Sequence, residues 1–277
     1  MVEVRVVKTK KEQKEFLNFP LKLYKDCPYY SPNLYISEKD IFKKDYFYYE
    51  NNKAIYFNAY IDGKIVGRIG GILSFSANEK WNQKRVRFTR LDLIEDFEVC
   101  KALIKSVEKW AKEEGMEEVF GPMGFSDMEK EGLLVEGFEE STTFSENYNY
   151  EYYKTFLEQL GYTKDIDWIS HQVFDNPDFN LEKARRIVDM SIKKYNLKQC
   201  EFKNTKEILD KYGKEFFDIV EEAYSDLYQT IPFTDAQIED MIKSFRLILS
   251  KDFITLIVDE DDKVAAFGLM FPYVADI

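Results

Sequence analysis

Asp62-Gly63 separates two apolar runs, AIYFNAYI and KIVGRIGGIL, and no other stretch constrains the chain as strongly. An Asp-Gly pair tolerates the positive φ angles of a two-residue turn, so the runs are expected to pair as an antiparallel hairpin. Residues 2–7 (VEVRVV) alternate as a strand before it, and residues 10–24 read as a helix with Phe16, Leu17, Phe19 and Leu23 on its apolar side. Pro20 predicts a break or kink in that helix, because proline lacks the N–H that continues the ladder. After the hairpin, residues 85–93 (RVRFTRLDL) alternate as a further strand. Residues 97–114 place Val99, Leu103, Val107 and Trp110 at helical spacing, with Gly115 as a C-terminal stop. Val119-Phe120 is the next strand, 152–160 a short helix ending on Gly161, and 167–174 a last strand. A hairpin feeding strand–helix–strand crossovers predicts a mixed α/β sheet with helices on both faces.

Between Phe120 and the helix at 152 the chain runs GPMGFSDMEKEGLLVEGFEESTTFSENYNYE. Gly121, Gly124, Gly132 and Gly137 fall here in a chain with 12 glycines in all. Such density marks backbone that turns tightly or approaches something closely. Two readings follow: a binding loop on a rigid scaffold, or a long structural crossover. The segment 26–49 carries eight tyrosines and phenylalanines, which either wall a pocket or cover the core.

Composition excludes several classes. With 45% hydrophobic residues the chain is too apolar to be disordered despite a net charge of −12. That acidity, with no basic patch, argues against a nucleic acid partner. Cys27, Cys100 and Cys200 are odd in number and far apart, so neither a disulfide framework nor a metal site is expected. The one histidine, His171, sits in a strand-like run and reads as structural. With no apolar leader and no long apolar run, a cytoplasmic protein without a membrane partner is expected.

From Asp175 the composition shifts through DNPDFN. Helices are expected at 181–195, 206–228 and 235–249, with strands at 197–202, 253–258 and 264–270. The hairpin at 255–270 repeats the earlier one in kind, with a short acidic turn between apolar strands. The chain therefore reads as two related units, 1–176 and 177–277, the second lacking counterparts of the first unit's later elements.

The strand and helix order, with YIDGKIVG in the hairpin and FLEQLGY closing the last helix, resembles the GNAT family of N-acetyltransferases. More specifically, VFGPMGFSDMEKEGLLVEGFEEST followed by YNYEYYKTFLEQLGYTKDIDW resembles a bacterial family of tandem GNAT-like proteins. The resemblance implies a mainly antiparallel GNAT-like sheet flanked by helices, followed by a second, incomplete GNAT-like unit. Either the second unit is a reduced partner domain or this chain is a fragment, and the resemblance, whose members usually run on further, favours the fragment.

The same resemblance implies acyl transfer from acetyl-CoA or another acyl-CoA to a small amine-bearing substrate. The backbone of Leu93 and Ile94 would line the cofactor's wedge, Asp92 would serve as base and Tyr153 as acid. Leu157 stands where many GNAT proteins carry the acid tyrosine, and Tyr153 lies one turn earlier. Gly121, Glu136, Asn147, Asn149 and Tyr152 are the expected substrate or ligand contacts. The carboxylates Asp127, Glu129, Glu131 and Glu136 suit a cationic amine or form a solvated acidic loop. The junction LDLIEDFEVCKA departs from the family's glycine-rich pyrophosphate turn, and Glu95, Asp96 and Glu98 place negative charge there. A rival reading follows: a non-catalytic GNAT-fold module for a ligand or partner protein.

Overall fold

The computed structural model describes residues 1–33, 35–143 and 145–271. It divides into two compact units, Met1–Trp168 with Tyr228–Ile231, and Ile169–Leu227 with the residues from Pro232 onward. The first unit is built on a five-stranded sheet of β1 (Glu3–Val6), β2 (Asn52–Ile61), β3 (Lys64–Ser74), β4 (Arg85–Leu93) and β5 (Glu118–Phe120). The strands lie side by side in chain order; β1 to β4 pair antiparallel and β5 runs parallel to β4. Asp62 and Gly63 take φ of 49° and 75°, which gives the tight turn that their sequence predicts.

Two irregularities shape the end of β4. Arg68 faces Asp92 and Gly70 faces Thr89, so β4 carries one extra residue between these pairs. Arg90, with φ 50°, supplies this bulge, which bends the strand and re-aims the side chains beyond it. β5 pairs only along Arg85 to Arg87 of β4. Gly121 then turns the chain aside at φ 143°, a conformation suited to glycine, and a Cβ there would meet the Phe88 carbonyl oxygen at 2.4 Å. The distal half of β4 is thereby left open on the β5 side.

Helices cover both faces. α4 (Phe97–Glu113) and α5 (Tyr152–Gln159) pack on one face, where Leu103, Val107, Tyr153 and Leu157 meet Ile69, Phe88 and Leu93. Gly67 and Gly71 let α4 approach, since a Cβ at either would meet Leu103 or Trp110 below 3.0 Å. α4 stops as predicted: Gly115 has φ 77°, its N–H bonds the Lys112 carbonyl, and Met116 N–H bonds that of Ala111. α1 (Lys10–Leu23) covers the opposite face together with the 3₁₀ turn Phe47–Glu50. Tyr48 and Phe125 stack there at 4.9 Å, so the aromatic segment 26–49 is largely core cover. Two short helices escaped the sequence reading, α2 (Tyr35–Asp40) and α3 (Phe75–Lys80).

Two expectations are corrected. Pro20 does not break α1. It leaves the Phe16 carbonyl without its helical donor, and Arg68 Nη1 donates to that oxygen at 3.1 Å. The strand expected at 167–174 does not form, and Ile169, Val173, Phe174 and His171 are exposed in irregular chain. Strand propensity reports fit to a neighbouring strand, and the short β5 edge has already turned away at Gly121.

The second unit holds an antiparallel sheet of β6 (Lys198–Gln199), β7 (Ile254–Val258) and β8 (Val264–Leu269). Its helices are α6 (Leu181–Lys194), α7 (Thr205–Tyr224) and α8 (Asp235–Ile248). Tyr212 of α7 packs with Leu256 and Val258, and the Phe217 and Phe245 rings join α7 to α8. Among the described residues the strand expected at 197–202 shrinks to two paired residues, and the helix expected to reach 228 stops at Tyr224.

Candidate functional site

The open end of β4 is occupied by a chain of buried hydrogen bonds. Leu93 N–H donates to the Tyr153 hydroxyl at 2.9 Å. The Tyr153 and Tyr24 hydroxyls lie 3.0 Å apart, and Tyr24 donates to Asp92 Oδ1 at 3.1 Å. Since Tyr24 spends its proton on the carboxylate, its oxygen accepts from Tyr153. Arg68 Nε donates to Asp92 Oδ2 at 2.7 Å, while its Nη1 holds the Phe16 carbonyl that Pro20 left unpaired. The bulge and the Arg68–Asp92 register on neighbouring strands bring this network together.

Asp92 and Tyr153, expected as base and acid, are thus joined through Tyr24. Tyr153 is 0% exposed and Asp92 7%. Burial, reinforced by the nearby Asp92 carboxylate, pushes the Tyr153 phenol well above its ordinary range. Tyr24 is pushed up by burial, then by Tyr153 and Asp92. Both phenols therefore stay neutral, and both carboxylate oxygens of Asp92 are already engaged.

The expected cofactor wall is engaged as well. The Leu93 carbonyl accepts from the Tyr152 hydroxyl at 2.7 Å, so two tyrosines cap both backbone groups of one residue. Ile94 N–H donates to the Val66 carbonyl at 3.0 Å, and its own carbonyl accepts Asp96 N–H at 2.7 Å. At the start of α4, Asp96 Oδ1 accepts from Glu98 N–H at 2.9 Å and Val99 N–H at 3.4 Å. A helix N-terminus attracts anions through its unpaired amides, and here the chain's own carboxylate takes two of them.

The glycine-rich loop closes on itself. Asn149 accepts from Leu134 N–H at 2.8 Å and donates to its carbonyl at 3.0 Å, as a neighbouring strand would. Asn147 donates to the Gly132 carbonyl at 2.8 Å. Both asparagines thus tie the loop's middle to its end, Gly121 serves the turn after β5, and Glu136 lies exposed.

Beneath this loop the expected carboxylates Asp127, Glu129 and Glu131 lie with Arg87, Arg90, Glu38 and Lys130, which the sequence does not single out. Arg87, 1% exposed, donates to the carbonyls of Gly124, Phe125 and Gln229. Arg90 forks onto Glu38 with both bonds at 3.0 Å and reaches Glu129 at 3.4 Å. Burial opposes charge on Glu38, but Arg90 outweighs it and holds the carboxyl below its ordinary range. Burial, helped by Asp127, pushes the Glu131 carboxyl up to about 8. One oxygen of each of Asp127 and Glu131 is buried without a hydrogen-bond partner among the described residues. Burial lowers Lys130 to about 8, and its ammonium donates to the Ser31 carbonyl at 3.2 Å. The available signal was the alternation of RVRFTRLDL, whose Arg85–Arg87–Thr89 face lies under a loop instead of in water.

Among the described residues no group of three His, Cys, Asp or Glu could hold a metal ion, and no helix is long and apolar enough to cross a membrane.

No family model matches the chain. It is 26% identical over 276 residues to protein YghO of Escherichia coli, covering 97% of this chain and 68% of that protein. It is 24% identical over 247 residues to the bacterial ceramide synthase of Caulobacter vibrioides, covering 88% of this chain and 63% of that protein. The chain spans about two thirds of the length of these curated relatives. Among solved structures, it is similar to a predicted acetyltransferase with acetyl-CoA from Clostridium acetobutylicum. That match has 9% identity and a TM-score of 0.41, and covers 62% of this chain and 96% of that one. The first unit is thus a mixed, mainly antiparallel sheet with a bulged fourth strand and helices on both faces, as expected from its strand and helix order.

Proposed function

We propose that this protein takes part in the acyl-CoA-dependent N-acylation of an amine-bearing acceptor, and that the wedge of its first unit serves there as a structural joint. Support for the reaction class comes from the GNAT-like fold and from the relative named a bacterial ceramide synthase. A ceramide is by definition the amide of a long-chain amino alcohol, so the acceptor class we favour is an amine of that kind. In the reaction the amine nitrogen attacks the thioester carbon, the C–N bond forms and the C–S bond breaks. The amine's proton passes to a base, and the departing thiolate takes up a proton.

The single observation that carries the structural half of this reading is the double capping of Leu93 by Tyr152 and Tyr153. An extended acyl donor needs those backbone groups, and opening them would strand buried polar atoms. Asp92 and Tyr153 accordingly hold the joint in our account and do not touch substrate. The test is to incubate the chain with a long-chain acyl-CoA and a long-chain amino alcohol, following thiol release and amide mass. We expect amide, with Asp92→Asn and Tyr153→Phe retaining turnover in proportion to the folded fraction. Absence of amide with every acyl donor and amine would remove the transferase reading. Loss of turnover in a well-folded Tyr153→Phe would return the chemistry to the wedge.

Asp96 favours a second reading, a ligand- or protein-binding module without catalysis, because it occupies the amides that a pyrophosphate would need. It predicts neither acetyl-CoA binding nor transfer.

A further inference from the structure

Beside the closed wedge lies an open cleft of about 710 Å³, between the end of α1, the residues after β4 and the first turn of α5. Its size is within the range of small-molecule sites. Leu23 and Ile94 give it aliphatic walls, and Tyr150 and Tyr152 line it with rings stacked at 5.7 Å and inclined by 29°. Among the described residues, the ionisable side chains facing it, tyrosines aside, are Glu95 and Glu151, and no lysine or arginine lines it. Both carboxylates are exposed. Glu151 stands at the N-cap of α5 but makes no capping bond. Neither glutamate forms a hydrogen bond or ion pair with the described residues, so their charge is unspent within the fold. Glu95 is near enough to Tyr152 to help keep that phenol neutral, after burial and Tyr150.

An apolar floor with aromatic faces, rimmed by two unspent carboxylates, selects for one kind of ligand. Carboxylates attract a cation and repel a phosphate. The aliphatic walls reward an attached hydrocarbon. We propose that this cleft binds an alkylammonium ion, its charged head at Glu95 and Glu151 and its chain along Leu23, Ile94 and the two tyrosines. The proposal shares with the transferase reading the kind of ligand, a charged amine on a hydrocarbon chain. It is tested by binding alone, so either can fail without the other.

The experiment is an amide chemical-shift titration of the full chain at neutral pH with hexylammonium chloride, 1-hexanol and sodium hexanoate as probes. Hexylammonium should shift Ile94, Glu95 and residues 150–152 saturably, about tenfold more tightly than hexanol, a difference of about 1.4 kcal/mol. Hexanoate should not bind. The exposed pair Glu95→Gln and Glu151→Gln should bring hexylammonium down to the level of hexanol, and added salt should weaken it. Equal binding of hexanol, no saturable shift in this region, or indifference to the double substitution would overturn the proposal. So would displacement of hexylammonium from these residues by coenzyme A.

Discussion

Leu93 N–H reaches the hydroxyl of Tyr153 at 2.9 Å, across 60 residues of chain, at the point where β4 has lost its neighbour β5. A strand that has lost its partner exposes backbone groups that must be satisfied. In this protein two side chains of α5 satisfy them, because Tyr152 donates to the carbonyl of the same residue. Both backbone groups of Leu93 are thus capped from α5 where β4 runs past β5.

Tyr153→Phe keeps the ring and removes the acceptor. The Leu93 N–H is then buried and unpaired, and Tyr24 loses its donor. The expected cost is about 1–3 kcal/mol, read as a lower urea midpoint with an unchanged slope.

Asp92→Asn leaves the Arg68 guanidinium buried beside a neutral amide. Removing one partner of a buried pair costs about 3–5 kcal/mol. Replacing both, as in Arg68→Met with Asp92→Asn, should cost less than the sum of the single changes. A double-mutant cycle in urea measures the coupling. Additivity would mean that the pair is not coupled in solution.

Gly121→Ala places a methyl group against the Phe88 carbonyl at a φ that alanine avoids. A loss of about 2 kcal/mol or more is expected, with hydrogen exchange accelerated first in the loop after β5.

Glu131 makes stability depend on pH. In the folded chain its carboxyl keeps the proton up to about 8, against an ordinary 4.5. Between those values the unfolded chain binds fewer protons, so stability falls as pH rises through this window and levels off above it. Discounted for partial solvent access, the contribution is about 1–2 kcal/mol. Glu131→Gln should flatten the profile and be the more stable form at pH 8.

Much of this fold could be read from the chain. Asp62-Gly63, the alternation of 85–93 and the Gly115 and Gly161 stops depend on local geometry, and each element formed as expected. Asp92 and Tyr153 were also brought together, but as members of one buried network. What the sequence hid depends on distant partners. The RVRFTRLDL pattern could not tell a face covered by a loop from one in water, so Arg87 and Arg90 went unnoticed. The apolar run at 167–174 looked like a strand because composition does not reveal whether an edge is available to pair with. Pro20 reads as a break or kink because its compensating donor, Arg68, lies far along the chain on β3.

The measurement that tests the closed wedge most directly is the amide signal of Leu93, followed with those of Phe97, Glu98 and Val99 as acetyl-CoA is added to saturation. A wedge sealed by Tyr152 and Tyr153, with Asp96 on the helix amides, predicts that none of the four shifts and that Leu93 exchanges no faster. A saturable shift at Leu93 together with Glu98 would show acetyl-CoA seated between the sheet and α4, and would contradict the account at its centre.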